Sequence, residues 1–197
     1  MSALASRVPQ APTTLEVRSV HMHDPLVRPL LDGLSQEYWS RYRRLLTVEQ
    51  LRAEMEDYPA QDFAAPHGDL LLLLEAGEPV AGGAYRRRVE PELGEVGRLA
   101  HPQARHADGT PAVPTAELKR IWTHDAHRRR GLARRVLVEL EQSAQDRGYR
   151  RLYLTTGPRQ PEAAGLYVAA GYTPLFDTAA DPEDIGPLPF EKWLDVR

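Results

Sequence analysis

The chain has 197 residues, which suits one ordinary domain of roughly 100 to 200 residues. Lys plus Arg number 25 against 28 Asp plus Glu, a net charge of −3 that disfavours a general polyanion binder, while 42% hydrophobic residues exclude global disorder. There is no cysteine, so disulfides, iron–sulfur clusters, Cys-ligated zinc and thiol nucleophiles are excluded, and any catalysis must rest on oxygen and nitrogen groups.

Residues 1–13 carry no apolar core of the length a secretory leader needs, so a frayed tail and a cytoplasmic protein are expected. The expectation for 14–197 is a single domain. Thr14 to Val20 alternates apolar and polar residues as a half-buried strand does. Asp24 and Pro25 then mark a helix start, followed by Val27, Leu30, Leu31, Leu34, Tyr38 and Tyr42 at helical spacing, and Thr47 with Gln50 forms a capping-box pattern for a shorter helix through about Glu56. The longest apolar run, Leu70 to Leu74, is far short of the ~20 residues that span a bilayer. It reads as a buried strand, Asp69 to Glu75, joined to a second, Val80 to Arg86, by the turn-rich Ala76-Gly77-Glu78-Pro79. Arg86, Arg87 and Arg88 are expected to end that strand in solvent. Glu90 to Pro114, with four prolines and an Asp108-Gly109 turn, reads as a long loop or a small extra hairpin.

From Thr115 the pattern sharpens. Thr115 to Thr123 alternates as a strand, which would put Glu117, Lys119, Ile121 and Thr123 on one face. Leu132, Val136, Leu140 and Ala144 form a helical stripe that Gly148 ends; Arg151 to Thr156 is a strand, Pro161 to Ala170 a short helix, Tyr172 to Phe176 a strand, and Phe190 to Leu194 a final edge strand. The order describes an α/β domain around a mixed sheet.

The chemistry concentrates between strand and helix, in His127 to Arg135. Unpaired N–H groups and partial positive charge at a helix start favour a phosphate anion, Gly131 permits close backbone approach, and Arg128, Arg129 and Arg130 add cationic donors. From Leu118 to Arg151 ten basic residues face four acidic ones, so positive charge gathers around this loop. No Gly-x-x-x-x-Gly-Lys-Ser/Thr occurs, which removes the P-loop readings. His21, His23 and Asp24, and His101, His106 and Asp108, lack zinc-site spacing, so no metal is expected. His124 and His127 flank the loop, and Trp39 and Tyr42 are expected as core or pocket wall.

Arg128-x-x-Gly131-x-Ala133, with the strand before it and the segment QPEAAGLYVAAGY after, resembles the signature of the GNAT family of N-acetyltransferases. The resemblance implies a mixed, mostly antiparallel sheet of six to seven strands with flanking helices. It implies acetyl-CoA as cosubstrate, its pyrophosphate on Arg128, Arg129, Arg130, Gly131, Leu132 and Ala133. The pantetheine would slot between splayed parallel strands, against the backbone of Ile121, Trp122 and Thr123, with Gln160 standing where many members place an Asn on the cofactor. Glu117 is the candidate base for the attacking amine, directly or through water, and Tyr167 the candidate acid for the departing thiolate. The expected reaction is direct attack by a small-molecule primary amine in a ternary complex, without nucleic acid or membrane. A non-catalytic acyl-CoA-binding module and an acetyltransferase of protein N-termini or lysines are the alternatives, and whether Glu90 to Pro114 covers the acceptor pocket or forms a homodimer contact is left open.

Overall fold

The computed structural model describes residues 14–45, 47, 49–50, 58–94 and 102–195. Its elements are β1 (Leu15–Ser19), α1 (Arg28–Tyr42), β2 (Asp69–Glu75), β3 (Glu78–Arg87), β4 (Thr115–Thr123), α2 (Leu132–Asp146), β5 (Arg151–Thr156), α3 (Pro161–Ala169), β6 (Thr173–Pro174), α4 (Pro182–Ile185) and β7 (Leu188–Trp193). The strands form one seven-stranded sheet in the order β1-β2-β3-β4-β5-β7-β6. Every neighbouring pair is antiparallel except β4 and β5. The expected tail lies outside the described residues.

The leucine run of β2 makes sense once both faces of the sheet are covered. Leu70, Leu72 and Leu74 join Leu30 and Leu34 of α1, while Leu71 and Leu73 join Val136, Leu137, Leu140 and Ala144 of α2 on the other side. Each leucine fully withdrawn from water stabilises the fold by about 1.5–3 kcal/mol, so one strand anchors both helices. The Asp24 carboxylate accepts the Leu26 N–H at 2.9 Å, and a single 3-10 turn, Pro25–Val27, leads into α1. The capping box also forms: Gln50 N–H donates to Thr47 Oγ1 at 3.2 Å, and Thr47 N–H to Gln50 Oε1 at 2.8 Å. The helix expected beyond it, through about Glu56, falls largely outside the described residues. Gly33, unfavourable in a helix by propensity alone, is explained by packing. A Cβ there would lie 2.3 Å from Nε1 of Trp122, so the glycine lets α1 close over β4.

Four expectations need correction. Phe190 to Leu194 is not an edge strand: β7 sits between β5 and β6, because Glu191 is wholly buried and accepts from Arg151 Nε at 2.7 Å. The strand expected over Tyr172 to Phe176 shrinks to Thr173–Pro174, and a short helix, α4, precedes β7. Arg86 and Arg88 do not end β3 in solvent; both are buried against Glu117. Trp39 is no core residue, being 42% exposed, whereas Tyr42 is buried. In the 90–114 segment the described residues include a hairpin-like turn, with a bridge from Arg105 to Pro111 around Asp108 and Gly109. Glu92 and the carbonyl of Ala104 both hold the buried Arg151 guanidinium, which ties this segment to the start of β5. Among the described residues no helix is long and apolar enough to cross a membrane.

Candidate active site

The site begins where the sheet opens. β4 and β5 are paired only through Thr115 with Arg151, Ala116 with Leu152 and Glu117 with Tyr153. Beyond Glu117 the two strands part, leaving a V-shaped gap. A bulge shapes its β4 side: Ala84 pairs with Lys119 but Gly82 with Trp122, so β4 carries one extra residue, and Arg120 takes a positive φ of 58°. The bulge breaks the expected alternation. Glu117, Lys119 and Trp122 fall on the α1 side of the sheet, whereas Leu118 and Ile121 pack with α2. Glu117, Lys119, Ile121 and Thr123 therefore do not share one face.

At the open end of the V, the loop before α2 turns through two left-handed residues, Arg129 at φ 61° and Gly131 at φ 76°. Nothing lies within 4 Å of where a Gly131 side chain would start, so the glycine serves backbone shape and open access, not packing. The first helical hydrogen bond of α2 is Arg135 N–H to Gly131 O, and no side chain caps the N-terminus. The N–H groups of Leu132, Ala133 and Arg134 therefore point out of the helix start with its partial positive charge behind them.

These parts enclose a cleft of about 340 Å³ lined by Ile121, Trp122, Thr123, Arg128, Arg129, Gly131, Leu132 and Ala133, with Glu37 of α1 and Tyr167 of α3 opposite. A narrower passage of about 170 Å³ continues between the strands, with Lys119, Arg120 and Ile121 on one wall and Thr155, Thr156, Gln160 and Tyr167 on the other. It adjoins a third recess of about 300 Å³, walled by Tyr38, Tyr42, Leu45, Pro158 and Pro187. The Thr123 hydroxyl is buried in the cleft wall without a hydrogen-bond partner in the protein. A buried hydroxyl in that state carries a desolvation cost that a bound polar group would remove.

The predicted residues are thus brought together unevenly. Arg128 and Arg129 line the cleft, but Arg130 turns away to pair with both oxygens of Glu75, at 3.0 and 2.6 Å. Gln160 lines the passage, where its amide oxygen accepts the Gly157 N–H at 3.0 Å. Tyr167 is 6% exposed, packed edge-on against Tyr172 and tilted against Phe190, and touches both cleft and passage. Burial pushes its hydroxyl well above the ordinary tyrosine range, with Tyr38 and Glu37 adding to the effect, so it keeps its proton at neutral pH. Glu117 lines neither space. Its carboxylate, 1% exposed, is held by Arg86 at 2.6 Å, Arg88 at 2.9 Å and Lys119 at 2.9 Å, and Lys119 alone of these lines the passage.

The sequence reading missed Glu37. It lines the cleft and the passage, and its Oε1 receives Arg41 at 3.1 Å while Oε2 receives Arg128 at 3.3 Å. Its spacing after Leu30 and Leu34 on the inward stripe of α1 was the available signal.

Residues 31–172 match the model of the acetyltransferase (GNAT) family. The chain belongs to that family. It is also 32% identical over 99 residues to the uncharacterized N-acetyltransferase YsnE of Bacillus subtilis, a match covering 48% of this chain and 60% of that protein. Among solved structures, an acetyltransferase from Streptococcus agalactiae superposes with a TM-score of 0.61 at 14% identity, over 91% of this chain and 98% of the other. The PaiA N-acetyltransferase from Thermoplasma acidophilum, solved in complex with coenzyme A, gives 0.60 at 13% identity, over 92% and 99%. These likenesses bear out the expected fold: a mixed, mostly antiparallel sheet with flanking helices and one parallel pair.

Proposed function

We propose that this member of the GNAT family transfers the acetyl group of acetyl-CoA to a primary amine of a small molecule, by direct attack in a ternary complex. One observation carries the reading: the parallel ladder stops at Glu117, and the gap it leaves runs straight into a cleft at an uncapped helix start. The groups present suit the ligand. The N–H groups of Leu132 and Ala133, with the guanidinium groups of Arg128 and Arg129, match a diphosphate, and the unpartnered Thr123 hydroxyl matches a polar group further along.

Acetyl-CoA supplies an activated thioester. The edge of β4 along Ile121 to Thr123 would hold its amide-bearing arm as a strand holds its neighbour. Tyr167, buried and protonated, would donate to the sulfur as charge develops there. Glu117 would take up the proton of the amine through water, since its own carboxylate lines neither space. Gln160 would reach the bound molecule from the passage wall. The third recess, pocket-sized and bounded by tyrosines and prolines, supports a small acceptor over a polypeptide.

Titrating CoA into the purified protein by calorimetry, then screening amines with acetyl-CoA for released thiol, tests the reading. Saturable CoA binding and an amine-dependent release of thiol are expected. Absence of CoA binding would overturn it.

A further inference from the structure

Around the mouth of the gap, three carboxylates share two guanidinium groups. Arg128 is divided between Asp125 at 2.7 Å and Glu37 at 3.3 Å, and Arg41 between Glu37 at 3.1 Å and Glu162. Glu37 is the member at the centre. It lines the cofactor cleft, the passage and a polar recess formed with Gly33, Trp122 and His124. Its contact with Arg128 is long for a charge-assisted hydrogen bond, and the Arg128 side chain is 49% exposed on the rim of the cleft.

We infer that Glu37 is the carboxylate that recognises the ammonium group of the acceptor, and that a diphosphate in the cleft frees it for that role by drawing off Arg128. The inference rests on the proposed binding of acetyl-CoA. A diphosphate beside the α2 N-terminus carries more negative charge than one carboxylate and offers Arg128 a bidentate partner, so the shared guanidinium moves to it. Glu37 and Glu162 are then left to share the single guanidinium of Arg41. With Arg128 drawn off, Glu37 keeps only its share of Arg41, so the carboxylate at the mouth of the passage is better placed to take a cation once the cofactor is bound. Linkage makes the effect reciprocal: a cation at Glu37 must in turn tighten cofactor binding.

Calorimetric titration with CoA tests this on the full chain. Glu37→Gln removes one of the two carboxylates that compete for Arg128, leaving Asp125, and is expected to tighten CoA binding roughly two- to fivefold, the range of a partly exposed ion pair. Arg128→Gln weakens binding, and Glu37→Gln added to it is expected to have no further effect. Replacing sodium chloride by ethylammonium chloride at equal ionic strength is expected to raise CoA affinity in the wild type and not in Glu37→Gln. Equal tightening by Glu37→Gln in both backgrounds, or no tightening at all, would overturn the exchange of Arg128. A wild type indifferent to ethylammonium would overturn the recognition role. If the wild type binds no CoA, it is the acetyltransferase reading itself that fails.

Discussion

Glu117 and Tyr153 are the last partners in the parallel ladder between β4 and β5, and the cleft and the passage both lie beyond them. Below this pair the strands are zipped and the side chains locked; above it the sheet is open. Tyr153 is itself fixed there, accepting the Leu93 N–H at 3.2 Å, and burial pushes its hydroxyl up to about 12.

The locking of Glu117 has an energetic consequence. Arg86 and Arg88 are 4% and 7% exposed, so without this carboxylate two guanidinium groups lose their buried counter-charge. Glu117→Gln is expected to destabilise the fold by about 3–5 kcal/mol, read by urea denaturation, in addition to any loss of turnover. A variant of unchanged stability would show that the cluster is not held together by this charge.

Tyr167→Phe keeps the ring contacts with Tyr172 and Phe190 and removes only the hydroxyl. Turnover is expected to fall by about 10²-fold or more, the scale of a lost general acid, with CoA affinity little changed. Parallel loss of both would mean that the residue holds the cofactor pocket in shape.

The three loop arginines are expected to separate. Arg130→Gln breaks a surface pair with Glu75 and leaves CoA affinity unchanged, while Arg129→Gln, on the cleft wall, weakens it and flattens its salt dependence. Comparable losses for both would show that Arg130 swings into the cleft when CoA binds.

Acid sensitivity follows from Glu90. Burial alone would raise its pKa, but the Arg86 guanidinium at 2.8 Å, together with the backbone N–H groups of Val89 and Glu90, more than reverses this and brings it from the ordinary 4.5 to about 2. A depressed folded-state value contributes stability that is fully present above the ordinary value and is lost as the pH falls through the folded one. Glu90→Gln should therefore lower stability at neutral pH and flatten its dependence on pH between about 4.5 and 2, as followed by thermal unfolding.

What could be read from the chain beforehand was whatever depends on neighbours in sequence. The stripe of α2, the glycine before it and the span of β5 are local patterns, and each was found at the expected residues. Several of the misreadings turn on partners far away. Arg86 and Arg88 looked like surface charges because Glu117, which makes their burial tolerable, lies about thirty residues on. β7 looked like an edge because nothing near Glu191 announces its buried pairing with Arg151. The β4 bulge is carried by an arginine in a left-handed conformation, where a glycine would have advertised the turn. Glu37 was overlooked because a glutamate on an exposed-looking helix is ordinarily solvated, and only the folded chain brings Arg41, Arg128 and two cavities around it.

The most direct test is a crystal structure with bound CoA. The account predicts the diphosphate against the N–H groups of Leu132 and Ala133, the pantetheine arm along Ile121 to Thr123, and the sulfur beside Tyr167 in the gap that opens past Glu117. A molecule of CoA bound anywhere else, with that gap empty, would contradict it.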